Sequence, residues 1–463
     1  MGKTNRVVVI GLDGVPPKVV FEKWRGDLPT LSMIISKSLH GPLRSTDPPI
    51  TIPAWTSMFT GKDPGELGCY GFRNRRDRSY GPLALADSTS VSAPWLWTIL
   101  SRRRLRSVVV GVPQTYPPMP LKGALVSGFM APHEGVCFTY PPELKEEIGR
   151  ICPGYEIDLP NFRYMEKEHL ARKVAEMTRK RFRLVRHLME TWEWDLLIAV
   201  EIGPDRMHHG FWRFLDPDHP AYERVPEYEN LVKHYYKMLD SEVSEILEIL
   251  DDKTSILIVS DHGAKPMRGL LRLNEWLRKK GYLRLKEDLA SPVAFHPSMV
   301  DWSHTLAWAE GGYYGRIYLN VRGREPEGIV RPSHYSELRG QLARELEEMV
   351  GPDGSALGNR VLIPEEIYRA TGGIPPDIML YAGDLSYRVS ASVGGEEIFS
   401  LTNDTGPDDA NHDIWGMYIL YQPWRSRGFS PTAKGASILD IAPTILEALG
   451  VDGDFQMGGR VLE

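Results

Sequence analysis

Cysteine is scarce: 463 residues hold only Cys69, Cys137 and Cys152, too few and too scattered for a disulfide framework or a thiolate zinc site. No apolar run approaches the ~18 residues needed to span a bilayer, so no membrane partner is expected. The chain runs from Met-Gly-Lys straight into a strand-like segment, without a signal-peptide apolar region, and a cytoplasmic location is the expectation. Gly2 opens no myristoylation motif, because Arg6 stands where Ser or Thr is required. A dominant basic stripe is also missing. The net charge of −6 argues against dedicated nucleic-acid binding, and the short basic runs at 102–106 and 179–181 read as solvated helix faces. What is present is ordinary globular material, with 42% hydrophobic and 25% charged residues, enough for a sizeable core.

Four short β-branched runs, residues 7–12, 107–112, 196–200 and 256–259, have the texture of buried parallel strands. Between them lie helix-length stretches. Residues 162–194 carry Leu170, Val174, Met177, Val185 and Leu188 on a helical period. Residues 222–250 do the same with Leu231, Tyr235, Leu239, Val243, Ile246 and Leu250. Such alternation predicts an α/β fold, a mainly parallel central sheet with helices on both faces. The texture changes after Asp261. A basic amphipathic helix (273–283), a strand (315–321) and a helix (333–350, with Leu338, Leu342 and Leu346) form an expected inserted subdomain. The division is then core 1–269, insertion 270–400 and returning core 401–463, ending in a strand at 418–421 and a helix at 437–449. No internal repeat is evident.

Three of the apolar runs lead into acidic or imidazole groups. The first ends at Asp13-Gly14; the third leads to Asp205, with His208 and His209 beyond; the fourth ends at Ser260-Asp261-His262-Gly263. Ligands bind at the carboxyl edge of an open parallel sheet, so Asp13, Asp205, His209, Asp261 and His262 are expected to converge there. Crowded carboxylates repel, so they hold protons or a cation neutralises them. Mixed Asp and His donors suit zinc or manganese better than calcium. Each motif alone has an ordinary reading. Asp-Gly after a strand is a common turn, and His208 competes with His209 for the same role. The fourth element is Thr51-Ile-Pro53-Ala-Trp55, before Thr60-Gly61. A hydroxyl there sits near free N–H groups at a helix start, a place that attracts phosphate. The alternative is that Thr51 only caps the helix that Pro53 opens.

Taken together, Gly11-Leu-Asp13-Gly14, Thr51-Ile-Pro53 with Thr60-Gly61, Asp205-x-x-x-His209, Ser260-Asp261-His262-Gly263, Asn411-His412-Asp413 and Asp440-Ile-Ala-Pro-Thr-Ile-Leu resemble the alkaline phosphatase superfamily. More narrowly they resemble its type I phosphodiesterase/nucleotide pyrophosphatase branch. The resemblance implies an alkaline phosphatase-like fold and two divalent metal ions, zinc or alternatively manganese. One ion would be held by Asp205, His209 and His412, the other by Asp13, Asp261, His262 and the Thr51 oxygen. Thr51 would be the nucleophile, forming a phospho-threonine on a small-molecule phosphoester. Two departures stand out. Nucleotide-cleaving members follow Thr-x-Pro with Asn-His, where this chain has Ala54-Trp55. They also carry an Asn downstream that helps hold the phosphoryl oxygens; here Asn74 is displaced by two positions, and Arg73 is a candidate anion clamp. Sulfatases of the superfamily need Cys or Ser followed by Pro and Arg, which Thr51-Ile-Pro-Ala-Trp does not match. The departures bear on nucleotide specificity, and the resemblance to the phosphodiesterase branch is what favours a phosphodiesterase over a phosphomonoesterase. The competing readings are a phosphomutase, suggested by Gly-Arg-Glu-Pro-Glu-Gly at 323–328, and a metal-stabilised binding protein without turnover. Trp302, Trp308, Tyr313 and Tyr314 could stack a base or sugar, though such aromatics are more often core.

Overall fold

The computed structural model describes residues 6–132, 136–425 and 435–462. Its centre is an eight-stranded sheet made of β1 (Arg6–Leu12), β2 (Leu39–Arg44), β3 (Ser107–Val110), β4 (Gly123–Val126), β5 (Thr139–Tyr140), β6 (Leu196–Glu201), β7 (Thr254–Val259) and β8 (Trp415–Tyr421). The spatial order is β2-β8-β7-β1-β6-β3-β4-β5. The inner strands β7, β1, β6, β3 and β4 pair in parallel. Both edges are antiparallel, through β8 and β2 on one side and β5 on the other. The four runs read as parallel strands are β1, β3, β6 and β7, each within two residues of its expected ends. Residues 418–421 lie in β8.

Alternation along β1 shows why the sheet is covered on both faces. Val8, Ile10 and Leu12 enter one apolar cluster and Val7 and Val9 the other, all essentially inaccessible to water. The first cluster is closed by α2 (Lys167–Thr191), α3 (Gly203–Leu215) and α4 (Pro226–Ile249). The second is closed by α1 (Thr51–Thr60) and α5 (Ile441–Ala448). A strand buried on both faces has no polar side, which is why β1, β6 and β7 read as continuous apolar runs.

Helix ends differ from the periodicity for local reasons. The helix expected over 162–194 starts at Lys167, because Asn161 takes a left-handed φ of 55° and a short 3-10 turn, Phe162–Tyr164, follows it. The helix expected over 222–250 starts at Pro226, whose missing N–H and fixed φ suit a first helical position. The final helix is preceded by a 3-10 turn, Ile438–Asp440, that a Ser437–Asp440 capping box opens. Between residues 271 and 393 a third apolar cluster forms under a four-stranded antiparallel sheet and the helix Tyr335–Glu347. Leu342 and Leu346 of that helix are buried and Leu338 packs at the margin. No helix among the described residues is long and apolar enough to cross a membrane.

Candidate metal centre and anion pocket

Adjacent strands deliver the acidic groups to one edge. Asp13 follows β1, Asp205 lies in the first turn of α3 after β6, and Asp261 and His262 follow β7. Gly14 adopts a φ of +68°, a left-handed turn that only glycine takes cheaply, and a Cβ there would stand 3.2 Å from Asp205. That close approach lets Asp13 and Asp205 face each other. His412 arrives from far along the chain. The strand Gly263–Pro266 pairs antiparallel with Ala410–Asp413, setting His412 opposite Ala264. The His262 and His412 rings consequently stack, with centroids 3.7 Å apart.

The donor atoms form two overlapping groups, Asp13 with Asp261 and His262, and Asp205 with His262 and His412. The His262 Nε2 lies 3.3 Å from Asp261 Oδ2 and 3.6 Å from Asp13 Oδ1. Asp205 Oδ1 lies 3.2 Å from His209 Nε2 and 3.8 Å from His412 Nε2. A tetrahedral ion with bonds of about 2.0–2.1 Å holds its donors roughly 3.3 Å apart, so these spacings fit one. All of these side chains are buried, and Asp13 Oδ1 and Asp261 Oδ2 have no hydrogen-bond partner among the described residues. Orphaned carboxylate oxygens in a dry site are costly unless a cation meets them. The residues present therefore suit a divalent metal.

The surroundings orient each donor. His262 donates from Nδ1 to the Gly263 carbonyl, and His412 donates from Nδ1 to the Pro49 carbonyl, both at 2.9 Å. Their Nε2 lone pairs are thereby left facing the carboxylates. His209 donates from Nδ1 to Asp408 at 2.6 Å. Trp55 donates from Nε1 to Asp13 Oδ2 at 2.7 Å. Gly11 leaves room for it, since a Cβ there would stand 2.5 Å from the far edge of the indole's six-membered ring. Burial, then the charge of Asp205, pushes the Asp13 carboxyl well up; burial, then Asp13, does the same to Asp261. Burial pushes the His262 imidazole down to about 4 and His412 well down. Burial opposes ionisation of Asp205 and His209 too, but their mutual attraction wins, holding Asp205 low and His209 high. This is a set of charges under strain, which positive charge from an ion would relieve.

Thr51 lies at the first position of α1, after Ile50, and makes no capping hydrogen bond. The capping reading of Thr51 is therefore corrected: Ile50 holds the extended cap position, and the Thr51 hydroxyl instead lies 3.3 Å from His262 Nε2. It opens into a cavity of about 310 Å³ whose walls also include Asp205, His412, Arg163, Arg206 and Tyr313. His208 is the histidine that the site does not use. It donates from Nδ1 to the Gly14 carbonyl and accepts from the Tyr236 hydroxyl, both at 2.9 Å, so neither nitrogen is spare.

Asn74 and Arg73 are placed elsewhere. The Asn74 amide is spent inside its own loop, accepting from Tyr70 N and donating to the Gly71 carbonyl. Arg73 lines the neighbouring cavity and not the one that holds Thr51. Glu325 of the 323–328 loop is buried among Arg75 and Arg324, and no residue of that loop lines the Thr51 cavity. Tyr313 stacks on His412 at 4.0 Å, whereas Trp302 stacks on Tyr80 at 3.6 Å. Trp308 and Tyr314 are buried in apolar clusters.

Sequence reasoning missed four polar groups. Arg206 is buried, bonded to Asp158 through Nε and Nη2 and to Asp205 through Nη1. Its place next to Asp205 was the available signal. Arg163 pairs with Asp408 at 2.9 Å and donates to the Tyr313 hydroxyl at 2.7 Å. Asp408, close before His412 in the chain, and Asp158 carried no pattern of their own.

A family model described as type I phosphodiesterase/nucleotide pyrophosphatase matches residues 7–409. Solved structures of similar fold include human ectonucleotide pyrophosphatase/phosphodiesterase 5, with a TM-score of 0.55, 14% identity, and 99% of this chain and 97% of that one covered. Phosphonoacetate hydrolase from Sinorhizobium meliloti 1021, in complex with phosphonoformate, matches with a TM-score of 0.58 and 17% identity over 96% of each chain. An inactive threonine-to-alanine variant of the murine ectonucleotide pyrophosphatase/phosphodiesterase 5, in complex with AMP, matches with a TM-score of 0.51 and 13% identity over 98% of each chain. At such identities the likeness concerns the fold. No curated protein matches the sequence significantly.

Proposed function

The chain belongs to the type I phosphodiesterase/nucleotide pyrophosphatase family, whose members are phosphoric ester hydrolases of the alkaline phosphatase superfamily, and from that premise we propose that it cleaves a small-molecule phosphoester by attack of the Thr51 hydroxyl at a two-metal site, a diester in preference to a monoester. The observation that carries the reading is the meeting of three things in one buried place. A hydroxyl stands at a helix start, two carboxylate oxygens lack partners, and three imidazoles point Nε2 inward. Asp205, His209 and His412 are the proposed ligands of one ion, and Asp13, Asp261, His262 and Thr51 Oγ1 those of the other. His262 Nε2 also reaches the first group. Zinc, or manganese as the alternative, suits this mix of N and O donors. Bound there, a divalent ion offsets the carboxylate charge, lowers the pKa of an adjacent hydroxyl and polarises phosphoryl oxygens.

The chain's own residues do the rest. Thr51 Oγ gives up its proton and forms a bond to phosphorus as the ester oxygen opposite departs with its electron pair, the proton passing through solvent to the departing oxygen or to bulk water, and the phosphoryl group is left on Thr51. Water then attacks that phosphorus, releases the product and restores the hydroxyl. Arg206 and Arg163, in the same cavity wall, present guanidinium N–H groups to non-bridging oxygens, the task that an Asn performs in nucleotide-cleaving relatives. The N–H groups of Thr51 and Ile52 have no carbonyl partner within the helix and add the positive end of its dipole. Phe72, Phe129, Phe162 and Tyr313 close the cavity with apolar surface. A murine neighbour of like fold is inactive as a threonine-to-alanine variant, which supports examining the same change here.

The test compares bis-p-nitrophenyl phosphate and p-nitrophenyl phosphate with metal-stripped protein, zinc- or manganese-reloaded protein, and Thr51→Ala. The expected result is metal-dependent turnover, faster on the diester and lost in Thr51→Ala. Equal turnover after complete metal removal would overturn the reading.

A further inference from the structure

Beside the Thr51 cavity lies a second of about 380 Å³, and the two share Phe72, Arg163, Tyr313 and Thr405 in their walls. Four arginines line this second space, Arg73, Arg163, Arg316 and Arg388, against one acidic residue, Asp404. Two of the four have carboxylate partners: Arg163 pairs with Asp408 at 2.9 Å and Arg388 with Asp404 at 3.1 Å. Arg73 and Arg316 have none within 4.0 Å among the described residues.

Arg316 is the informative one. Only 7% of it is exposed. Its Nη groups donate to the carbonyls of Arg73 and Gly311, while Nε is buried without a hydrogen-bond partner among the described residues. Carbonyls satisfy N–H groups but leave the positive charge uncompensated, and a buried charge without a counter-charge is expensive. The acid across the strand pair, Glu310, lies beyond ion-pair reach, and burial pushes its carboxyl up, toward the neutral form. Tyr313 supplies the wall between the two spaces, stacked on His412 on one side with the Arg388 guanidinium 5.5 Å over its ring.

We propose that the space bounded by Arg73, Arg316 and Arg388 is a second anion subsite, so that the substrate carries, besides its scissile phosphorus, a further carboxylate or phosphoryl group joined by a short linker that passes Phe72 and Tyr313. The proposal rests on the phosphoester reading for what fills the first cavity. Planar guanidinium forks suit either anion, since both present paired oxygens.

The test is calorimetric binding of three probes to metal-loaded protein: ethylphosphonate, 3-phosphonopropionate and ethylene-1,2-diphosphonate. The wild type is expected to bind one or both of the doubly anionic probes at least about 10-fold tighter than ethylphosphonate. The stronger of the two identifies the second group as carboxylate or phosphoryl. Arg316→Gln should reduce that advantage to less than about 3-fold while leaving the ethylphosphonate affinity unchanged. Arg73→Gln, at an exposed position, should reduce it in the same direction and guards against misfolding of the buried variant. Equal binding of all three probes, or an advantage that survives both substitutions, overturns the subsite. Turnover of bis-p-nitrophenyl phosphate is recorded on the same samples. Its absence counts against the phosphohydrolase reading alone, because the arginine dependence of binding judges the subsite by itself.

Discussion

Replacing Trp55 by Phe removes one N–H from the metal site and the far edge of a fully buried ring. The indole Nε1 donates to Asp13 Oδ2 at 2.7 Å, and the Asp13 Oδ1 has no partner of its own. Without the indole donor both oxygens of a fully buried carboxylate lack hydrogen bonds, so its charged form becomes harder to hold. Partners of this kind typically contribute 10–100-fold in metal affinity, or about 1.4–2.7 kcal/mol at ~1.4 kcal/mol per factor of ten. Phe keeps the ring nearest the backbone and vacates the far edge of the indole that faces Gly11, a packing loss of about 1–2 kcal/mol. For a chain of 463 residues, unfolding entropy near 2.1 cal/mol/K per residue converts each kcal/mol into only about 1 °C of Tm. The assay is zinc titration against a chelating dye, with a metal-free melting curve beside it. The expected result is a 10–100-fold weaker zinc affinity with a metal-free Tm lowered by about 1–2 °C. Unchanged zinc affinity would refute the reasoning that Trp55 sets the state of Asp13.

Other expectations follow from the same charges. Asp261→Asn removes a carboxylate that burial and Asp13 push up, so metal-free protein should gain about 1–3 kcal/mol in urea unfolding while metal-dependent turnover falls at least about 100-fold. Arg206→Met leaves Asp158 without its buried counter-charge and takes from Asp205 one of two, the other being His209, and should cost about 3–5 kcal/mol by the same measurement. His208 is held by burial at about 4 in the folded protein against ~6.5 unfolded. Its contribution is therefore fully present above pH ~6.5 and is lost as pH falls toward 4, at about 1.4 kcal/mol per unit and about 3 kcal/mol in all. Comparing chelator-treated wild type with His208→Gln across that range should isolate this slope; parallel stability curves would refute it.

Much of the sheet was legible because β1, β6 and β7 are buried on both faces and carry apolar runs along most of their length, a signal that needs no partner to be seen. Asp205 and His209 were legible as a pair, since four residues apart on α3 they share a face, and their atoms meet at 3.2 Å. The choice between His208 and His209 was not. It depends on Tyr236, on a different helix, and on the Gly14 carbonyl. His412 entered through the family resemblance, because its arrival depends on strand pairing with residues 263–266 across a long insertion. Arg163, Asp158 and Asp408 form contacts at separations that no periodicity encodes. Asn74 shows the opposite case. A suitable residue type in nearly the right place is consumed by its own turn.

The central claim is that Thr51 attacks phosphorus, and the most direct measurement is a rapid acid quench. Metal-loaded protein is mixed with bis-p-nitrophenyl phosphate, quenched within one turnover, digested and examined by peptide mass spectrometry. The account predicts a nitrophenyl-phosphoryl adduct on Thr51 that is absent after chelation and absent in Thr51→Ala. Turnover by Thr51→Ala at a rate near that of the wild type, with no adduct on Thr51 in either protein, would contradict it.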